Sequence, residues 1–182
     1  MTVSGHAMVI ERRIHVVQGG HDVSADAGVC MTTILGSCVA ACLWDPMARL
    51  GGMNHFLLPE APDGATGDRR YGVQAMELLI NALLSRGARR DRIRAKVFGG
   101  ARMSAGMVDI GRRNGVFIKR FLDDESIPLE NASLGGVSAR RIQFWPATGR
   151  ARQHLVEAGD LPIRERAPAR PARVDGGDLE LF

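Results

Sequence analysis

The sequence predicts an α+β fold, a layered α/β sandwich of mixed, largely antiparallel sheets flanked by helices. Three observations predict it. Apolar, strand-like runs lie on both sides of Asp45-Pro46-Met47-Ala48, which has the chemistry of a type I turn: Asp to bond back onto the backbone, Pro pre-set for the second position. Ala139 to Trp145 and Arg150 to Val156 alternate around Pro146-Ala147-Thr148-Gly149, a second hairpin. Two further segments, Tyr71 to Arg86 and Arg113 to Asp124, repeat apolar residues at the helical period. Antiparallel hairpins mixed with two helices in this way point to a layered α+β fold.

In chain order, Met1 to Arg13 is a flexible start, and Ile14 to Val17 is a short strand ended by Gln18-Gly19-Gly20. Asp22 to Ala27 reads as loop. Val29 to Leu35, apolar and β-branched, is a buried strand that delivers the chain into Gly36-Ser37-Cys38, where glycine allows a tight bend. Beyond it two readings stand. The segment to Trp44 is a strand, the preferred reading, or a helix whose N-terminus at Cys38 would lower the thiol pKa directly. Glu60 to Arg70 holds Pro62, Gly64 and Gly67 and reads as a polar loop. Helix Tyr71 to Arg86 gathers Val73, Met76, Leu79, Ile80, Leu83 and Leu84 on one face, with Gly87 as its C-cap. Ile93 to Phe98 is a strand, and Met103 to Ile110 irregular or partly helical. The second helix forms despite Gly115, which costs up to about 1 kcal/mol relative to alanine. Leu129 to Leu134 is a weaker strand.

The 182 residues suit one domain, spanning 14–161. From Pro162 a disordered linker of prolines and arginines leads to an acidic-apolar tail, Asp178 to Phe182. Apolar residues make up 45% and charged residues 24%, the balance of a soluble globular chain. The net charge of +4 is mild, its arginines are scattered, and no nucleic-acid-binding motif is present, so nucleic acid is not an expected partner. Three cysteines, an odd number with no secretory signal ahead of them, argue against a disulfide framework and for a reducing cytoplasm. No apolar run approaches the roughly 20 residues of a membrane span, so direct membrane insertion is not expected. A monomer without cofactor is expected. A zinc site of Cys38, Cys42 and His55 lacks both a fourth ligand and the usual spacing.

The stretch Thr32 to Pro59 carries the chemistry. If the four-residue turn pairs Trp44 with Arg49, counting outward sets Cys38 opposite His55, with Cβ atoms roughly 4.5–5.5 Å apart. That is the pairing a cysteine nucleophile and its general base require. A one-residue bulge at Gly51-Gly52 would turn one partner to the other face. Cysteine in an apolar run more often just packs, which is the reading for Cys30 and Cys42. His6, His15, His21 and His154 have no chemical neighbours in the sequence.

T-T-I-L-G-S-C-V and G-G-M-N-H-F-L-L-P, with RRYGVQAMELLINALLSRGA, KVFGGARM, IGRRN and LGGVSARRIQFWPATGR following in order, resemble the CheD chemoreceptor glutamine deamidases. The resemblance implies a CheD-like fold and a Cys-His-Thr hydrolase. Its activity would turn selected glutamines of chemoreceptor (methyl-accepting chemotaxis protein) cytoplasmic domains into glutamate. By motif position the nucleophile is Cys38, the base His55 and the third member Thr32. Thr33 adjoins Thr32, and neighbouring strand residues point to opposite faces. Gly36 and Ser37 are candidate oxyanion or substrate contacts. An imidazolium beside Cys38 would draw its thiol pKa down. A reading of another class makes the chain a non-catalytic binding partner of a CheC-type chemotaxis phosphatase, docking through the same cleft.

Overall fold

The computed structural model describes residues 11–58, 66–103 and 109–156. They fold as three layers. A four-stranded sheet takes strands β1 (Arg12–His15), β3 (Val29–Leu35), β8 (Ala139–Trp145) and β9 (Arg150–Val156), in that order. A five-stranded sheet has the order β2-β5-β4-β6-β7, from β2 (His21–Ser24), β5 (Leu50–Asn54), β4 (Val39–Asp45), β6 (Arg94–Gly99) and β7 (Leu129–Leu134). Helices α1 (Thr66–Ser85) and α2 (Ile110–Asp124) cover its outer face. Among the described residues only β1–β3 and β6–β7 pair in parallel, so the sandwich is largely antiparallel, as expected.

Strand β4 shows why the layers stack. All seven of its residues are buried, and successive side chains point to opposite faces. Val39, Ala41 and Leu43 join the core under the helices, with Met76, Leu79, Ile80 and Leu83 of α1 and Ile118 of α2. Ala40, Cys42 and Trp44 face the other sheet, meeting Val29, Met31 and Leu35 of β3 and Ile142 and Phe144 of β8. Each fully buried apolar side chain contributes about 1.5–3 kcal/mol relative to exposure, so both cores depend on this strand. The helix reading after Cys38 is thereby overturned. A helix would place residues every 100° around one axis, whereas β4 must fill two cores at once.

Other expectations shift at their edges. Strand β1 begins at Arg12, inside the stretch read as flexible. Strand β2 falls within the predicted loop, its Asp22 and Ser24 having masked a strand that pairs with β5. Helix α1 begins at Thr66, inside the predicted Glu60–Arg70 loop, and Gly87 closes it at φ +99° with its N–H on the Leu84 carbonyl. Helix α2 starts at Ile110, where the Asp109 side chain accepts from Arg112 N. The basic linker, the acidic-apolar tail and most of the flexible N-terminus lie outside the described residues.

Candidate active site

The β4–β5 hairpin closes two residues away from the predicted register. Asp45 pairs with Leu50 and Trp44 with Gly51, leaving Pro46 to Arg49 as the loop, with Arg49 at φ +51°. The Asp45 carboxylate accepts from Met47 N at 2.9 Å and Ala48 N at 3.0 Å, the turn chemistry read from the sequence. A two-residue shift preserves faces, because side chains alternate with period two. Further along, Val39 and Phe56 form a bridge in the same register. Cys38 and His55 each precede one of these bridge partners, so they are diagonal rather than directly opposed. Diagonal neighbours lie about 7–8 Å apart on one face, within reach of long side chains.

Cys38 sits on a loop whose carbonyls are all held. Ala101 N donates to Gly36 O at 2.8 Å, Asn114 Nδ2 to Ser37 O at 2.7 Å and Gly100 N to Cys38 O at 2.7 Å. Gly99 makes this approach possible: at φ +115°, a Cβ there would stand 2.1 Å from Cys38 O. The half-buried Cys38 thiol donates to Gln18 Oε1 at 3.4 Å. Asn114, fully buried on α2, also accepts from Leu58 N at 2.9 Å. One side chain thus ties the cysteine loop to the segment that follows the histidine.

His55 is gripped from the β1–β2 loop. Gly19 N donates to His55 O at 2.7 Å and His55 N to Gly20 O at 3.1 Å. Its ring is buried, and Nδ1 lies 2.8 Å from Thr33 Oγ1. The Thr33 hydroxyl has a single proton and gives it to Val16 O at 2.8 Å. Oγ1 must therefore accept from Nδ1–H, with Val16 O as a weaker second acceptor at 3.4 Å. This arrangement, which gives Thr33, Val16 O and Nδ1–H a partner each, favours the Nδ1–H tautomer. Nε2 carries the lone pair, and among the described residues it has no hydrogen-bond partner.

The threonine expected at this position, Thr32, is not the one that holds the ring. Val29, Met31 and Leu35 of β3 face the inter-sheet core, and Thr33 belongs to that odd-numbered series. Thr32 points outward, where with Arg13, His15, Ile34, Arg141 and Gln143 it lines a surface hollow. The sequence contained the signal, since the apolar parity of β3 singles out residue 33. Asn114 was equally legible: with Gly111, Gly115, Ile118, Phe121 and Leu122 it occupies the buried face of α2. Gln18 was read only as a strand end. Gly36 packs against Met103, whose Cγ would lie 3.1 Å from an added Cβ.

The electrostatics oppose a preformed ion pair. Burial pushes the Cys38 thiol up from 9.0 to about 11, although its own backbone N–H pulls the other way. Burial pushes His55 down from 6.5 to about 4; the Val16 carbonyl resists this and His15 adds to it. The expected lowering of the thiol pKa is thus reversed. Both groups rest neutral near pH 7, and desolvation of the charged forms is the cause. Cys42 is shifted up further, also by burial, in keeping with a packing thiol. Among the described residues no three His, Cys, Asp or Glu side chains gather as a metal site would need. A cavity of about 310 Å³ opens behind the cysteine loop, lined by Arg102, Arg112, Lys119, Gly135 and Gly136 among others, and Cys38 is not part of its wall.

Residues 57–154 match the family described as CheD chemotactic sensory transduction. A protein of Caulobacter sp. (strain K31) is 55% identical over 174 residues, 93% of each chain. The chain belongs to the CheD family. That Caulobacter CheD bears the name "Probable chemoreceptor glutamine deamidase CheD", as do relatives from Agrobacterium fabrum, 51% identical over 94% of this chain and 97% of that protein, and from Acidiphilium cryptum, 55% identical over 94% of each. A crystal structure of a Neisseria meningitidis protein overlaps 70% of this chain and 64% of its own at 11% identity and a TM-score of 0.42.

Proposed function

We propose that the protein is a chemoreceptor glutamine deamidase that hydrolyses selected glutamine side chains of receptor cytoplasmic domains to glutamate and ammonia. The observation that carries the reading is the imidazole of His55. It is buried, locked by Thr33 into the tautomer with Nε2 unprotonated, and set on the same face as the half-buried Cys38 thiol. The names of the CheD relatives supply the substrate class.

A primary amide is a poor electrophile and ammonia a poor leaving group, so the site must supply a nucleophile, a proton and oxyanion support. His55 Nε2 takes the thiol proton as Cys38 Sγ bonds to the glutamine Cδ, and the carbonyl π electrons move onto oxygen. The imidazolium then protonates the amide nitrogen, the C–N bond breaks and ammonia leaves a thioester. Water, deprotonated by the same Nε2, attacks the thioester. The C–S bond breaks, the sulfur regains its proton, and glutamate departs. Thr33 holds Nδ1–H throughout, so the ring need not turn between steps. Because both groups start neutral, thiol deprotonation accompanies substrate attack rather than preceding it. The Cys38 backbone N–H supports the oxyanion, and Gly36 and Ser37 shape the bend that presents it.

No helix of the described residues is long and apolar enough to cross a membrane, and we place the protein in the cytoplasm with its receptor substrates. The test is ammonia release from a purified chemoreceptor cytoplasmic fragment. Turnover that requires the protein is expected. Binding of the fragment or of a CheC-type phosphatase without any ammonia release would overturn the enzymatic reading in favour of a docking role.

A further inference from the structure

We propose that Gln18 is a catalytic residue, its side-chain amide N–H forming an oxyanion hole together with the backbone N–H of Cys38. The inference rests on Cys38 being the nucleophile, as proposed above. Its first support is position. The Gln18 carboxamide already touches the sulfur, at 3.4 Å. In the tetrahedral intermediate the oxyanion is one carbon removed from that sulfur, so a donor held there is within its reach.

The second support is the way the loop is fixed. Gln18 stands between Val16, whose carbonyl receives the Thr33 hydroxyl, and Gly19 and Gly20, which bond the backbone of His55 on both sides. The segment that locks the base therefore also carries Gln18. Its side chain is itself exposed, open to an arriving substrate and unused by the core.

The third support is a deficit. Asn114 pins the Ser37 carbonyl at 2.7 Å, and in a planar trans peptide the Cys38 N–H must then point the opposite way. That N–H lies against its own sulfur, where one oxyanion donor belongs. Oxyanion holes for acyl transfer combine preorganised donors, often a backbone N–H with an Asn or Gln side chain. Gln18 is the side chain placed to be the second.

A carboxamide suits both stages of the reaction. In the resting state the thiol donates to Oε1. Once the proton has passed to His55, the sulfur has nothing to donate. A half-turn about the broad, two-fold terminal torsion then brings an Nε2–H to the place Oε1 occupied.

The test is steady-state kinetics of Gln18→Ala and Gln18→Glu on a synthetic glutamine-containing receptor peptide, alongside iodoacetamide alkylation of Cys38. Alkylation displaces iodide from a saturated carbon and builds no oxyanion. Gln18→Ala should lower kcat by about 10²-fold, the cost of one oxyanion donor, with KM and the alkylation rate little changed. Gln18→Glu should fall further, since it sets an acceptor and a charge against the oxyanion. The proposal is overturned if Gln18→Ala keeps wild-type kcat, or if alkylation falls in step with kcat. It is also overturned if wild-type Gln18 is itself converted to glutamate in a Cys38-dependent way, which would make it a substrate. Turnover retained by Cys38→Ala would instead refute the functional reading beneath it.

Discussion

A neutral hydroxyl in third place sets what His55 can do. Thr33 orients the ring as an aspartate would, but it offers no charge to stabilise imidazolium. Buried without a counter-charge, His55 titrates near 4 rather than 6.5. The acid limb of kcat/KM should therefore lie nearer pH 4 than 6.5, and a limb near 6.5 in a pH–rate profile would contradict the neutral pair. Stability follows the same sign. Between the unfolded and folded values the unfolded chain binds the extra proton, so stability is complete above about 6.5 and is lost as pH falls toward 4. Thr33→Val should lower kcat about tenfold, part of the 10²–10⁴ that general base catalysis supplies. Thr32→Val, on the outer face, should stay close to wild type in the same assay. The sequence motif favoured Thr32, whereas strand parity favours Thr33, and the structure follows parity because β3 must bury Val29, Met31 and Leu35 on the side where His55 stands.

At the scale of elements, β3 was legible to the residue, Val29–Leu35, from its apolar and β-branched run, and β8 and β9 from their alternation around Pro146 to Gly149; the weaker strand β7 also has its predicted bounds. Strand β2 was not, because an edge strand of His-Asp-Val-Ser lacks an apolar run and gains its place by pairing with β5. The hairpin register was missed by two residues because the four-residue loop sits one residue further along, at Pro46 to Arg49 with Arg49 left-handed, a choice of backbone conformation that its composition does not dictate. The face relation of Cys38 and His55 survived, since two is the period of the strand. The tie between the Cys38 loop and the segment after His55 comes instead from α2, through Asn114. Asn114→Asp keeps an acceptor for Leu58 N but loses the donor to Ser37 O. It should destabilise the protein by about 1–3 kcal/mol, the cost of an unsatisfied buried polar group. Urea unfolding would measure the loss, and kcat should fall more than KM changes. An Asn114→Asp protein with wild-type stability and kcat would show that the loop holds itself.

Across the whole molecule, Asp45 joins the hairpin to the segment after α1. Its buried carboxylate accepts from Met47 N, Ala48 N and Arg89 N, and pairs with Arg92 at 2.9 Å. Desolvation alone would raise its pKa; these hydrogen bonds outweigh it and hold the carboxyl below 3.8. The folded state then binds fewer protons in acid, so this contribution is present above about pH 4 and is lost as pH falls through the folded value. Asp45→Asn should cost about 2 kcal/mol at neutral pH, as expected for hydrogen bonds to a charged group. Its stability should also depend less on pH below 4 than that of wild type, as acid titration followed by circular dichroism would show. On the proposed function, this scaffold presents one thiol and one imidazole on a fixed edge. The most direct test of that claim is residue-resolved mass spectrometry of a chemoreceptor cytoplasmic fragment incubated with wild-type or Cys38→Ala protein. Conversion of specific glutamines to glutamate by the wild type, and none by a folded Cys38→Ala, is the predicted result; the same glutamines converted by Cys38→Ala would contradict it.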